Sequence, residues 1–286
     1  MRVRRTGAAL AVAAGMALAA GLTSPAGAQP AAGHGTTTTY TRHATAHIMP
    51  MRGTHNAKPV AFTTLSWNDG PVEHPATVYL DFWGSQWGND PSGAANYLQG
   101  FFGATGSDTM SNVLTQYYDN SGNVSLRQPV LAGVWFHNSV SAPSNASQGQ
   151  ISSEANTAAS HFGVSGPNTD VFVVSPTGTH PDNFPNAGFC AWHDWNGNVA
   201  YTNMPYVWDA GSSCGANSLS GPNDGFSIVG FHEYAEAATD PEPASGWIDN
   251  SSGEENADLC AWTDLYIDSN GYPVQGSWSN AAGGCQ

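Results

Sequence analysis

The chain has 286 residues, 40% hydrophobic and only 10% charged, with 22 Asp and Glu against 7 Lys and Arg, a net charge of −15. So acidic a chain has no basic patch to neutralise phosphates, which excludes nucleic acid and anionic membrane surfaces as partners. The length suits one domain with a sizeable core, and no solenoid or propeller period divides it.

In chain order, Met1-Arg2-Val3-Arg4-Arg5 leads into an apolar run over 8–22 and then Ala26-Gly27-Ala28. This is the pattern of a secretory signal peptide over 1–28, which predicts an extracellular protein. The run is too short to span a bilayer, and no later segment approaches ~20 apolar residues, so no membrane span is expected. Loss of the leader leaves Arg42, Arg52, Lys58 and Arg127 against 22 acids, a net charge near −18. Residues 29–62, rich in Thr, Ala, His, Pro and Gly, read as a flexible leader or pro-segment. Histidines of such a segment (His43, His47 and His55) can cap an active-site metal, but scattered ones are usually only solvated.

Residues 63–286 are expected to form a single metallohydrolase-like domain. Strand signals lie at 76–83, 130–136 and 170–175, and helical periodicity at 92–102, 109–118 and 148–162. The alternation predicts an α/β or α+β fold with a central mixed sheet. The stretches Asp119-Asn120-Ser121-Gly122-Asn123 and Asp194-Trp195-Asn196-Gly197-Asn198 resemble calcium loops in composition. Neither has the full spacing with its closing Glu, so both read as hairpin turns. A short strand near 200–206 precedes a helix that Asn223 or Asp224 can cap and that stops at Thr239-Asp240-Pro241.

That helix carries His232-Glu233-Tyr234-Ala235-Glu236, a zincin-like H-E-x-x-E. Residues four apart share a helix face, so His232 and Glu236 can grip one ion while Glu233 leans over it as a general base. With 10 His and 7 Glu in the chain, the pattern arises by chance about 0.006 times per chain of this composition. Five of the seven Glu (Glu233, Glu236, Glu242, Glu254 and Glu255) fall within 23 residues. A third ligand is expected from the fold, with Glu255 or Asp258 favoured over Glu254 and Asp249, and His193 as a competing ligand. Zinc is the expected ion. One His with two carboxylates makes a harder site, so manganese and calcium are the alternatives.

The four cysteines all lie in the last third of the chain, which in a secreted protein suggests disulfides. Proximity favours Cys190 with Cys214 and Cys260 with Cys285. Cys190-Ala191-Trp192-His193-Asp194 and Cys260-Ala261-Trp262-Thr263-Asp264 echo each other, which two strand ends packed side by side would explain.

Several of these segments together resemble the secreted EXORDIUM and phosphate-induced proteins. The resemblance runs, with gaps, from about residue 65 to 262. It covers Leu65-Ser66-Trp67-Asn68-Asp69-Gly70-Pro71-Val72, the run Val78 to Gly84, Gly188-Phe189-Cys190, Tyr201 to Trp208 with Cys214, the H-E-x-A-E helix and Glu255 to Cys260. It implies a secreted single-domain protein tied to the cell exterior or wall, and His232, Glu233, Glu236, Glu255 and Asp258 as one constellation. The chain departs from the plant-type pattern around Cys190, where His193 follows closely. The expected function is a secreted metal-dependent hydrolase, a zinc metallopeptidase acting as a monomer on peptide or protein, or on cell-wall material. The alternative is a non-catalytic extracellular binding protein with a structural metal ion.

Overall fold

Apolar strand-forming residues concentrate in six segments that pair into one sheet. They are β1 (Ile48–Pro50), β2 (Ala76–Trp83), β3 (Leu126–His137), β4 (Gly166–Val174), β5 (Phe189–Trp195) and β6 (Val199–Met204). The structure, a computed structural model, describes residues 47–54 and 63–286. The expected signal peptide and most of the expected leader, His43 and His55 included, lie outside the described residues.

The spatial order is β1-β5-β6-β4-β2-β3. Strands β2, β3, β4 and β6 run parallel, β5 opposes β6 and β1 opposes β5, so the sheet is mixed. Parallel strands covered on both faces read as near-continuous apolar runs, as β2 and the end of β4 do. The strand β1 falls inside the segment expected to be a flexible leader. It holds the sheet edge through its ladder to β5, and the indole N–H of Trp262 donates to the Pro50 carbonyl. At the other edge, β3 carries Arg127 near its start, whose guanidinium donates to the carbonyls of Pro129 and Leu131.

Three helices cover the sheet: α1 (Ala94–Ala104), α2 (Gln148–Phe162) and α3 (Asp224–Thr239). Helix α2 starts with a capping box of Ser147 and Gln150 and stops at Gly163, whose φ of 70° suits a residue without a Cβ. The expected helix over 109–118 is only one α-turn, Thr109–Asn112, followed by a 3-10 turn, Val113–Gln116. Buried Tyr117 donates its hydroxyl to the Trp278 carbonyl and starts a hairpin.

Register decides which face each helix covers. Leu80, Phe172, Thr202 and His193 are successive partners across β2, β4, β6 and β5, so they share a face. Phe172 meets Phe102 of α1, and Phe102 also meets Tyr234 of α3. Tyr79, on the opposite face, meets Phe162 of α2. The fold is therefore α/β with helices on both faces, and His193 points at α3.

Two disulfides, Cys190–Cys214 and Cys260–Cys285, staple the C-terminal third. They mark an oxidising, extracellular type of environment. No described helix is long and apolar enough to cross a membrane. The C-A-W-x-D echo is not a pair of strands. The first copy lies in β5, whereas the second starts on the last residue of a 3-10 turn, Asp258–Cys260, with Trp262 and Asp264 at positive φ turning the chain.

Candidate metal centre

Every residue of α3 is buried. A helix made of Phe, Ile, Val, Tyr, Ala and Gly has no face that prefers water, so packing can close round it. A Cβ on Gly225 would lie 2.0 Å from the Cys214 carbonyl oxygen, so glycine lets the disulfide loop press on the first turn. The carboxylate of Asp224 gathers the preceding loop, accepting from the backbone N–H of Leu219, Ser220 and Gly221 and from the Ser220 hydroxyl. At the far end Asp240 accepts from the N–H groups of Ala244, Ser245 and Gly246, and Pro241 prevents continuation.

This packing leaves His232, Glu233 and Glu236 fully buried in mid-helix. The His232 Nε2 lies 2.9 Å from Glu236 Oε1 and 3.5 Å from Asp258 Oδ1. Neither His232 ring nitrogen nor either Glu236 oxygen is in hydrogen-bond geometry. Donor atoms around a tetrahedral ion at ~2.0 Å stand roughly 3.3 Å apart, so these edges fit a common ion better than mutual hydrogen bonds. His232, Glu236 and Asp258 thus form one three-donor group.

His193 arrives from β5. Its Nε2 donates to the Asp240 carbonyl at 3.2 Å, which leaves the Nδ1 lone pair 3.4 Å from Glu236 Oε2 and 3.6 Å from Glu233 Oε2. A ring nitrogen donating to a backbone carbonyl is the usual support of a metal-binding imidazole. Glu255 faces His193 through Oε2, 3.7 Å from its Nε2, and His193, Glu236 and Glu255 form a second donor group. His47 completes a third with Asp240 and Glu255; its Nδ1 is 3.3 Å from Glu255 Oε1 and 3.6 Å from Asp258 Oδ2.

All six expected site residues (His193, His232, Glu233, Glu236, Glu255 and Asp258) therefore converge. Glu254 and Asp249 do not. The Asp249 carboxylate serves its own loop through Ser251 and Ser252 and accepts from the distant Thr63 hydroxyl, and Glu254 meets the Ser252 hydroxyl. Asp240 enters the sequence reading only as a helix stop, and His47 only among the leader histidines that can cap a metal. The segment 255–258 is pinned by Asn256, which donates to the Ala235 carbonyl and the Thr239 hydroxyl, and by Gln275, which donates to the Ala257 carbonyl. In sequence this Asn carries no signal of its own.

The electrostatics are those of a negative cavity. Burial, reinforced by Glu236, pushes the Glu233 carboxyl up to about 7 although His193 and His232 oppose it. Burial likewise raises Glu255 well above the carboxylate range, helped by Asp240, Glu236 and Asp258. Burial lowers the basicity of His193 and His232, yet the surrounding carboxylates, Glu255 for the first and Glu236 for the second, lift both well above the usual imidazole range. Burial also works to raise Asp258, but His232 and His47 hold it well below its ordinary value. Behind the centre, burial drives Asp170 up to about 7 and Glu73 well above its usual value. Together with the orphaned oxygens of Glu233, Glu236 and Glu255, this donor set fits a cation.

A separate cluster was not foreseen. Asp81 of β2, His137 at the end of β3 and Glu154 of α2 meet on the opposite face of the sheet. The Asp81 carboxyl is pushed up to about 9 by burial and by the charge of Glu154. The two calcium-like stretches are hairpin turns, Asp119 accepting from the N–H of Val72 and Ser121, and Asp194 from that of Trp195.

Compared with known protein families, with characterised proteins and with solved structures, the chain matches none.

Proposed function

We propose that the protein is a secreted metal-dependent hydrolase, most simply a zinc metallopeptidase. The group of His232, Glu236 and Asp258 carries this reading: its three donors lie within 4.8 Å of one another, and His232 Nε2 stands 2.9 and 3.5 Å from the two carboxylates without hydrogen-bond geometry. These three residues would hold the ion, with zinc preferred and manganese or calcium as alternatives. Such an ion supplies a Lewis acid that polarises a carbonyl and acidifies water. Glu233, next to His232 on the same helix and without a hydrogen-bond partner, takes the proton from the attacking water at its carboxylate and returns it to the departing amine. His193, held by the Asp240 carbonyl, presents its Nδ1 lone pair 3.4 Å from Glu236 Oε2 and would be a further donor to the ion. The acidic chain suits neutral or cationic peptides, and the resemblance to EXORDIUM-type proteins supports an extracellular or wall-associated setting.

The test is metal analysis of the purified protein combined with peptide cleavage by wild type and Glu233→Gln. Stoichiometric zinc in both, with cleavage at least a hundredfold slower in the variant, is the expected outcome, given typical general-base contributions of about 10²–10⁴-fold. Equal cleavage by the two proteins removes Glu233 from the mechanism.

The burial of the centre favours a second reading, a non-catalytic extracellular protein whose ion is structural, because His232 and Glu236 are fully buried and only Asp258, 10% exposed, reaches the surface. It predicts metal retention and no turnover of any peptide.

A further inference from the structure

We propose that the centre holds two divalent cations, the second bound by His47, Asp240 and Glu255 and linked to the His232–Glu236–Asp258 site through the two oxygens of Asp258. This rests on the metal-binding half of the reading above and is independent of peptide hydrolysis.

Asp258 presents Oδ1 to His232 at 3.5 Å and Oδ2 to His47 at 3.6 Å, so one carboxylate faces two donor groups at once. Glu255 is fully buried, neither of its oxygens has a hydrogen-bond partner, and Oε1 lies 3.3 Å from His47 Nδ1. The Asp240 carboxylate is fixed in advance by three backbone N–H groups, which leaves lone pairs for a cation.

His47 is built into place. Beyond it β1 is laddered to β5, Met49 is buried, and the N–H groups of Met51 and Arg52 donate to the carbonyls of Gly188 and Ser213. The imidazole itself is 2% exposed and its Nε2 has no partner. A polar ring buried at the sheet edge beside two carboxylates is costly unless it pairs with them or shares an ion with them.

Charge argues for the same number. Glu233, Glu236, Asp240, Glu255 and Asp258 are five carboxylates that meet three imidazoles, His47, His193 and His232. In the state that binds metal, with every carboxyl ionised and every imidazole neutral, the formal charge is −5; one divalent ion leaves −3 and two leave −1. Uncompensated charge at such depth is strongly unfavourable, so the second ion removes most of what the first leaves.

The rival occupants are protons, with the carboxyls and imidazoles neutralising one another and no ion bound. The deciding experiment equilibrates the purified protein with Zn²⁺ or Mn²⁺, removes free metal by gel filtration and measures metal per chain. Two equivalents are expected, falling to one in His47→Ala and in Glu255→Gln. Two Mn²⁺ ions sharing a carboxylate should also give an exchange-coupled EPR spectrum that either substitution converts to that of an isolated ion. One equivalent in the wild type, two uncoupled ions, or two equivalents that survive both substitutions would overturn the proposal. Should His47→Ala fail to fold, Glu255→Gln with the wild-type stoichiometry and spectrum still decides. Absence of any ion sinks the metal reading as a whole. Two coupled ions without peptide cleavage sink only the hydrolase.

Discussion

A carboxyl group in the middle of an apolar strand works against the fold unless it keeps its proton. Asp81 is fully buried, and its pKa of about 9 stands above the roughly 3.9 of an unfolded chain. With the folded value raised, the contribution of Asp81 to stability is fully present below about pH 4 and is progressively lost as pH rises towards 9. Asp81→Asn cannot ionise, so it should be more stable than wild type at pH 7, by at most about 4 kcal/mol, with the difference vanishing below pH 4. Urea unfolding at the two pH values measures this; a destabilised variant at pH 7 contradicts it. Single residues also mark the limit of what sequence conveys. Glu255 and Asp258 were legible because glutamate is otherwise scarce and a cysteine follows. His47 was not, because its neighbours carry no periodicity and its burial comes wholly from pairing with a strand about 140 residues away.

Among the elements, α3 was the most legible, since Asp224 and Pro241 punctuate it and the apolar residues between them allow only a buried helix. Its start depends on one carboxylate. The four hydrogen bonds to Asp224 hold its pKa below the ordinary value even though burial tends to raise it. With the folded value lowered, the stabilisation is present above the unfolded pKa of about 3.9 and is lost as pH falls through the lower folded one. Asp224→Ala should therefore cost about 2–4 kcal/mol at pH 7, from hydrogen bonds to a charged group. The gap to wild type should narrow as the medium is acidified below pH 4, which chemical denaturation across pH 2–7 would show. The second C-A-W-x-D copy was misread because a disulfide and two positive-φ residues override strand propensity, and a linear sequence displays neither constraint.

For the whole molecule, strand signals and disulfide pairs could be read in advance, but strand order could not. Nothing local tells β1 to close the sheet beside β5. Yet that placement brings the leader, the sheet, α3 and the C-terminal loop to one centre, so ions there should act as cross-links between distant parts of the chain. An ion present at a thousandfold its Kd contributes about 4 kcal/mol, or roughly 10 °C in a domain of this size. Chelation should lower the melting temperature by that order in calorimetry, with recovery on adding Zn²⁺ or Mn²⁺; an unchanged melting temperature would mean that the buried carboxylates manage without ions.

The two ends of the sheet bear on how copies of the chain behave when crowded together. An exposed edge strand templates pairing with another molecule, and the net charge of −15 repels other copies in general without blocking the edge itself. Here β1 ends the sheet in three residues, the last of them Pro50. At the opposite edge Pro129 lacks an N–H, and Arg127 occupies the carbonyls of Pro129 and Leu131. One of only seven basic residues is thus used as a gatekeeper against strand-to-strand aggregation.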